Sequence, residues 1–264
     1  MLCRNKKSAI LRQSGASPRM PGSLSAKICG IPTHTTHITA SIIMNAQKKI
    51  LMVTTSADAL TNGRKTGVWL EEIAVPYLAL SKAGLSITVA SPKGGAVPVD
   101  PHSLDDASVA KWPDILELLK NSAPLKEIQA EGFDAIFLPG GHGTMMDFAT
   151  DAELKRLLND FAKADKIIAA VCHGPAGLVG AKKPDGSPLV AGKTITAFTD
   201  DEEIAMQLEK AVPFMLETTL RGEGANFVVG PMWVPHVEVD GKLITGQNPA
   251  SSEPIAQAVL ERLR

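Results

Sequence analysis

The strongest constraint on this chain is an alternation of two hydrophobic periods. Lys49-Ile50-Leu51-Met52-Val53-Thr54-Thr55 is a continuous apolar run of strand length, and Ser86-Ile87-Thr88-Val89-Ala90, Ala135-Ile136-Phe137-Leu138 and Ile167-Ile168-Ala169-Ala170-Val171 repeat it. Runs without an apolar–polar alternation are buried on both faces, as in a parallel sheet covered by helices. Between them lie segments with apolar residues at spacings of three and four. Val68, Leu70, Ile73, Ala74, Tyr77 and Leu78 predict a helix over Gly67 to Lys82, and Leu154, Leu157, Leu158 and Phe161 predict one over Asp151 to Lys163. Further helices are expected at Trp112 to Lys120, Asp200 to Lys210 and Ser251 to Leu263. A hairpin is expected from Val237-Glu238-Val239 through Asp240-Gly241 to Leu243-Ile244-Thr245. Strands separated by helices imply an α/β fold with a mostly parallel central sheet.

The sequence has 264 residues, 44% of them hydrophobic, enough for one sizeable core, and nothing repeats. Residues 48–264 are read as a single domain. A Pro-rich connection at about 93–132 is long for a crossover and is expected to form a lid or side layer. Residues 1–47 differ: Met1 to Ala57 holds no acidic residue, while Arg4, Lys6, Lys7, Arg12, Arg19 and Lys27 are scattered among Ser, Thr, Gly and Pro. This reads as a disordered basic leader or an over-extended start, with Met44 as the natural beginning, in preference to a targeting peptide.

Charge and cysteine usage narrow the function. A net charge of -1 and 4% aromatic residues argue against a nucleic-acid partner, and no apolar run reaches membrane-spanning length. Three cysteines, Cys3, Cys29 and Cys172, make no disulfide framework, and a cytoplasmic location suits a working thiol.

The sharpest local signal is Ile168-Ala169-Ala170-Val171-Cys172-His173-Gly174-Pro175-Ala176-Gly177, where a buried strand ends at cysteine and small residues open a helix. A thiol there sits at the carboxyl end of the sheet, where α/β folds bind ligands. A helix N-terminus would lower its pKa and stabilise an oxyanion. Pro139-Gly140-Gly141-His142-Gly143 follows the preceding strand, so its backbone N–H groups can approach the same ligand as an oxyanion hole.

Val171-Cys172-His173-Gly174-Pro175, Leu138-Pro139-Gly140-Gly141-His142-Gly143, Thr66-Gly67-Val68-Trp69-Leu70-Glu71-Glu72 and Leu243-Ile244-Thr245-Gly246-Gln247-Asn248-Pro249 together resemble the PfpI-type, class I glutamine-amidotransferase-like superfamily. Within it they resemble the heat-shock chaperone and glutathione-independent glyoxalase III branch, over about residues 48 to 264. The resemblance implies a flavodoxin-like three-layer sandwich with a nucleophile elbow at Cys172, the neighbouring His173, and a glutamate from the first helix. That glutamate falls on Glu72, four residues before Pro76, with Glu71 as its rival about 100° round the helix. A third carboxylate falls on Glu203, with Asp200, Asp201 and Glu202 close by and able to cap the helix. Gly141, His142 and His173 are the expected substrate and oxyanion contacts.

The implied activity converts methylglyoxal to lactate, or glyoxal to glycolate, through a thioester on Cys172, with Glu72 as a raised-pKa proton carrier and a homodimer as the assembly. Neither glutathione, another cofactor nor a metal is expected, since no His, Cys or carboxylate pair has ligand spacing along the chain. The same resemblance implies chaperone behaviour and deglycase or peptidase claims, and a low-pKa thiol leaves a redox sensor open. A glutamine amidotransferase is the rival enzyme class, because His236-Val237-Glu238 mimics the His-x-Glu of that triad. Residues 236, 238 and 240 also fit the polar face of a strand.

Overall fold

A computed structural model describes residues 47–264. The expected leader, with Cys3, Cys29 and Met44, lies outside the described residues apart from Gln47. In chain order the elements are β1 Lys49–Val53, α1 Leu70–Lys82, β2 Ser86–Ser91, α2 Asp106–Lys111, α3 Pro113–Leu118, β3 Ala123–Pro124, β4 Ala135–Leu138 and α4 Thr144–Asp147. There follow α5 Ala152–Lys163, β5 Ile167–Val171, β6 Thr194–Ile195, α6 Asp200–Ala205, α7 Leu216–Gly222, β7 Asn226–Phe227, β8 Val237–Asp240, β9 Leu243–Gly246 and α8 Ser252–Leu263.

Seven strands form the main sheet in the order β3-β2-β1-β4-β5-β9-β8, parallel throughout except for the antiparallel β8–β9 edge. Its register sets Leu51 beside Ile136, Ile136 beside Ile168, and Ala169 beside Ile244. Because side chains alternate along a strand, one sequence run supplies two cores. Leu51, Val53, Ile136, Leu138 and Ile168 pack with Leu154, Leu157, Leu158 and Phe161 of α5. Ile50, Met52, Phe137, Ala169 and Val171 pack on the other face with Leu70 and Ile73 of α1 and with Ile255 and Val259 of α8. The result is a three-layer α/β sandwich. Each of the four fully buried α5 side chains contributes ~1.5–3 kcal/mol, which holds the helix to the sheet.

The structure corrects several element boundaries, each for an identifiable physical reason. Helix α1 starts at Leu70 and not at Gly67. Before it, Val68 donates its N–H to Pro98 O at 2.8 Å and bridges to Val99, so the chain is extended there. The expected Trp112–Lys120 helix begins at Pro113, whose ring suits the first helical position, and a separate helix α2 precedes it. Helix α6 stops at Ala205, short of the expected Lys210, since Gln207 takes a left-handed φ of 58°. The 93–132 connection extends the sheet through β3, paired to β2 at Ala90 and Ala123, and packs Trp112, Ile115 and Leu119 into the α1 side of the core.

Tight backbone contact joins the ends of β4 and β5. A Cβ on Gly174 would lie 2.1 Å from Leu138 O, a backbone atom that cannot move without shifting β4. Gly174→Ala is therefore expected to cost ~1–3 kcal/mol, read as a lower urea midpoint at unchanged slope. An unaltered midpoint would show that the two strand ends can move apart freely.

Candidate active site

Chain direction brings three segments to the carboxyl rim of the sheet: the loop after β4, the turn after β5 and the first turn of α1. Cys172, at the end of β5, has φ 58°, a conformation L-residues avoid. It is held there from both sides, by Cys172 N–H to Gly246 O at 2.9 Å and by Phe198 N–H to Cys172 O at 2.8 Å. The residues after it form a five-residue 3₁₀ stretch, Gly174–Leu178, in place of the expected α-helix. The expectation of a thiol pKa lowered by a helix terminus is thus overturned. Burial, and next the neighbouring Glu72, push the Cys172 thiol well above its ordinary value.

Of the two glutamates that compete in the sequence, Glu71 is exposed and Glu72 is fully buried. Glu72 Oε2 accepts the Gly140 N–H at 2.8 Å. Its Oε1 is buried without a conventional partner, and the Cys172 thiol is the side chain that acts on this carboxyl. Burial raises its pKa from 4.5 to about 8, against the opposing hydrogen bonds from Cys172 and Gly140. At neutral pH the carboxyl carries its proton.

His173 is fully buried, with Nδ1 3.3 Å from the sulfur and Nε2 2.8 Å from Glu203 Oε2. The other carboxylate oxygen, Glu203 Oε1, lies 2.9 Å from His142 Nε2. Glu203 is thus clamped between two imidazoles whose ring centroids are 4.0 Å apart. A carboxylate accepts from both, so each ring carries its proton on Nε2, and His173 turns a bare Nδ1 toward sulfur. Burial alone would raise the Glu203 pKa, but the two imidazoles overcome it and hold the carboxylate well below its usual range. Burial and then His142 lower His173 to about 4, so the imidazole rests neutral.

The structure therefore brings together Cys172, His173, Glu72, Glu203, Gly141 and His142. All but Glu203 line one cavity of about 320 Å³, and none of residues 93–132 does so. Gly141 has φ 100°, and a Cβ there would meet Gly67 O and Trp69 N at 2.4 Å. The Gly141 and His142 N–H groups have no acceptor among the described residues, so they remain available to a ligand oxygen. His142, His173 and Glu203 also place three potential metal-ligand atoms within 4.8 Å of one another, a grouping that spacing along the chain did not reveal. Both carboxylate oxygens of that group are already engaged by imidazole nitrogens. His236 pairs with Glu238 at 3.0 Å, and neither lines the cavity, which removes the alternative amidotransferase triad.

Sequence reasoning missed the apolar wall of this cavity, including Phe198 and Trp233. Of the acids weighed as helix caps, Glu202 caps α6, in a box with Thr199 that follows the Thr-x-x-Glu pattern. No helix among the described residues is long and apolar enough to cross a membrane.

The DJ-1/PfpI family pattern matches residues 64–262. A glutathione-independent glyoxalase of Saccharomyces cerevisiae is 31% identical over 237 residues, covering 83% of this chain and 99% of its own. The crystal structure of glyoxalase III from Candida albicans superposes with a TM-score of 0.73 at 28% identity, over 81% of this chain and 97% of that one. The Rapid Encystment Protein of Francisella tularensis reaches a TM-score of 0.79 at 36% identity, over 83% and 100%.

Proposed function

This chain belongs to the DJ-1/PfpI family, and from that premise we propose that it is a glutathione-independent glyoxalase with Cys172 as nucleophile. The chain is an enzyme of the glyoxalase III type, which takes a small dicarbonyl such as methylglyoxal to its 2-hydroxy acid. The observation that carries the reading is a fully buried Glu72 carboxyl, its pKa raised to about 8 by burial, lining the same cavity as the Cys172 thiol.

Losing one proton from the Glu72–Cys172 pair leaves a single negative charge, and the Glu72 carboxylate takes the thiol proton as sulfur attacks. The sulfur adds to the aldehyde carbon, and Glu72 gives its proton to the new alkoxide, forming a hemithioacetal. Glu72, now a carboxylate, removes the hydrogen from that same carbon to give an enediolate and returns it to the former ketone carbon, while the hydroxyl proton of the hemithioacetal passes to the former ketone oxygen. The product is a 2-hydroxyacyl thioester on Cys172. The aldehyde carbon has been oxidised and the ketone carbon reduced, so no external electron carrier enters the balance. Water then attacks the thioester while His173 Nδ1 takes its proton, with Glu203 stabilising the imidazolium, and the sulfur departs with the free acid as product. The free N–H groups of Gly141 and His142 are suited to hold the developing oxyanion.

The reading includes a homodimer in a reducing compartment such as the cytoplasm, without a nucleic-acid partner; near-neutral charge and scarce aromatic residues support the last point. The direct test is lactate formation from methylglyoxal by the purified protein in glutathione-free buffer. A rate no greater than the spontaneous one sinks the assignment.

A further inference from the structure

The cavity is much larger than methylglyoxal requires. At about 320 Å³ it falls in the range that encloses drug-sized ligands, ~300–1,000 Å³. Away from the thiol, its walls are the apolar side chains Trp69, Phe198, Met206, Trp233 and Pro249. Phe198 stacks at 4.2 Å on the His173 ring and lies 5.7 Å from the Trp233 ring, so an aromatic surface runs from the reacting sulfur's neighbour to the mouth. Trp233 stands at that mouth, 45% exposed.

An exposed loop backbone is ordinarily free to turn, but the main chain at Trp233 is held. Its backbone is left-handed, φ 61°, and its N–H is held at 3.0 Å by Oε1 of Glu202, a side chain with no solvent exposure. The same oxygen accepts from Gln247 Nε2 at 3.1 Å and Asn248 Nδ2 at 2.9 Å, while Oε2 accepts from the Thr199 N–H at 3.1 Å. A buried carboxylate with all these donors anchors the loop, and strain maintained in this way concentrates at ligand sites.

We propose that the preferred substrates are 2-oxoaldehydes bearing a flat, bulky apolar group on the ketone carbon, and that Trp233 determines this specificity by covering that group against Phe198. The proposal rests on the glyoxalase reading and deepens it. The aldehyde would meet Cys172 while the apolar group lies along the aromatic wall, where burial and ring stacking favour it. Glu202 acts as a positioning residue, through the Trp233 backbone.

The test compares kcat/KM for phenylglyoxal and methylglyoxal in wild type, Trp233→Ala and Trp233→Phe, with the aromatic 2-hydroxy acid and lactate measured directly. Wild type is expected to favour phenylglyoxal by ~10-fold or more. Trp233→Ala should reduce the phenylglyoxal-to-methylglyoxal ratio by about 10-fold, chiefly through a higher KM for phenylglyoxal, and Trp233→Phe should restore most of it. Comparing ratios between variants cancels the different intrinsic reactivities of the two aldehydes. Methylglyoxal turnover with a ratio at or below unity in wild type, or with a ratio unmoved in Trp233→Ala, overturns the specificity proposal and leaves the glyoxalase reading intact. Turnover of neither aldehyde overturns both.

Discussion

Cys172→Ala is expected to lower kcat/KM for lactate formation by ~10⁴-fold or more, the scale seen when a nucleophile that acts as part of a unit is removed. No other thiol stands among the described residues. Alanine keeps the Cβ and fits the space, and the hydrogen bonds from Cys172 N–H and to Cys172 O are made by backbone and survive. Loss of activity should thus come with an intact fold, seen as an unchanged circular dichroism spectrum. Full lactate production by the variant would refute covalent catalysis at this position. The same protein separates catalysis from holdase behaviour, since suppression of client aggregation requires no sulfur.

Glu72→Gln is the second large effect. Glutamine preserves the acceptor for the Gly140 N–H but can neither carry a proton between the two substrate carbons nor donate an acidic hydrogen to sulfur. A fall in kcat of ~10²–10⁴-fold is expected. The pH behaviour supplies an independent reading. In wild type the rate should rise as pH passes through about 8, where the pair gives up its first proton, and the rise should move to higher pH when only the thiol remains.

Stability should respond in the opposite sense. The folded-state pKa of Glu72 is raised from 4.5 to about 8, so the native protein holds this proton more tightly than the unfolded chain. That contribution is complete below about 4.5 and is lost as pH rises through about 8. Relative to Glu72→Gln, wild type should lose about 1.4 kcal/mol per pH unit across this window. A stability difference that stays level between those pH values would show that Glu72 is already ionised in the native state.

The parts legible in the sequence were those governed by local chemistry. The runs at Ala135–Leu138 and Ile167–Val171 match β4 and β5 residue for residue, because a strand buried on both faces admits only apolar side chains. The α1, α3 and α6 boundaries were less legible, since contacts from distant segments, a proline and a left-handed residue determine them. Glu72 could be preferred over Glu71 only by resemblance. On its own, a glutamate in a helix reads as a solvated charge.

From the sequence alone came the α/β architecture, a cysteine at a strand's end beside a histidine, and a glycine turn at the same rim. These follow from period, composition and turn chemistry, which act over a few residues. Only the tertiary structure decided that His142 shares Glu203 with His173, that burial leaves the Glu72 carboxyl protonated, and that Glu202 fixes Trp233 over the cavity. Such properties depend on exclusion of water and on contacts between residues tens of positions apart, and no local pattern encodes either.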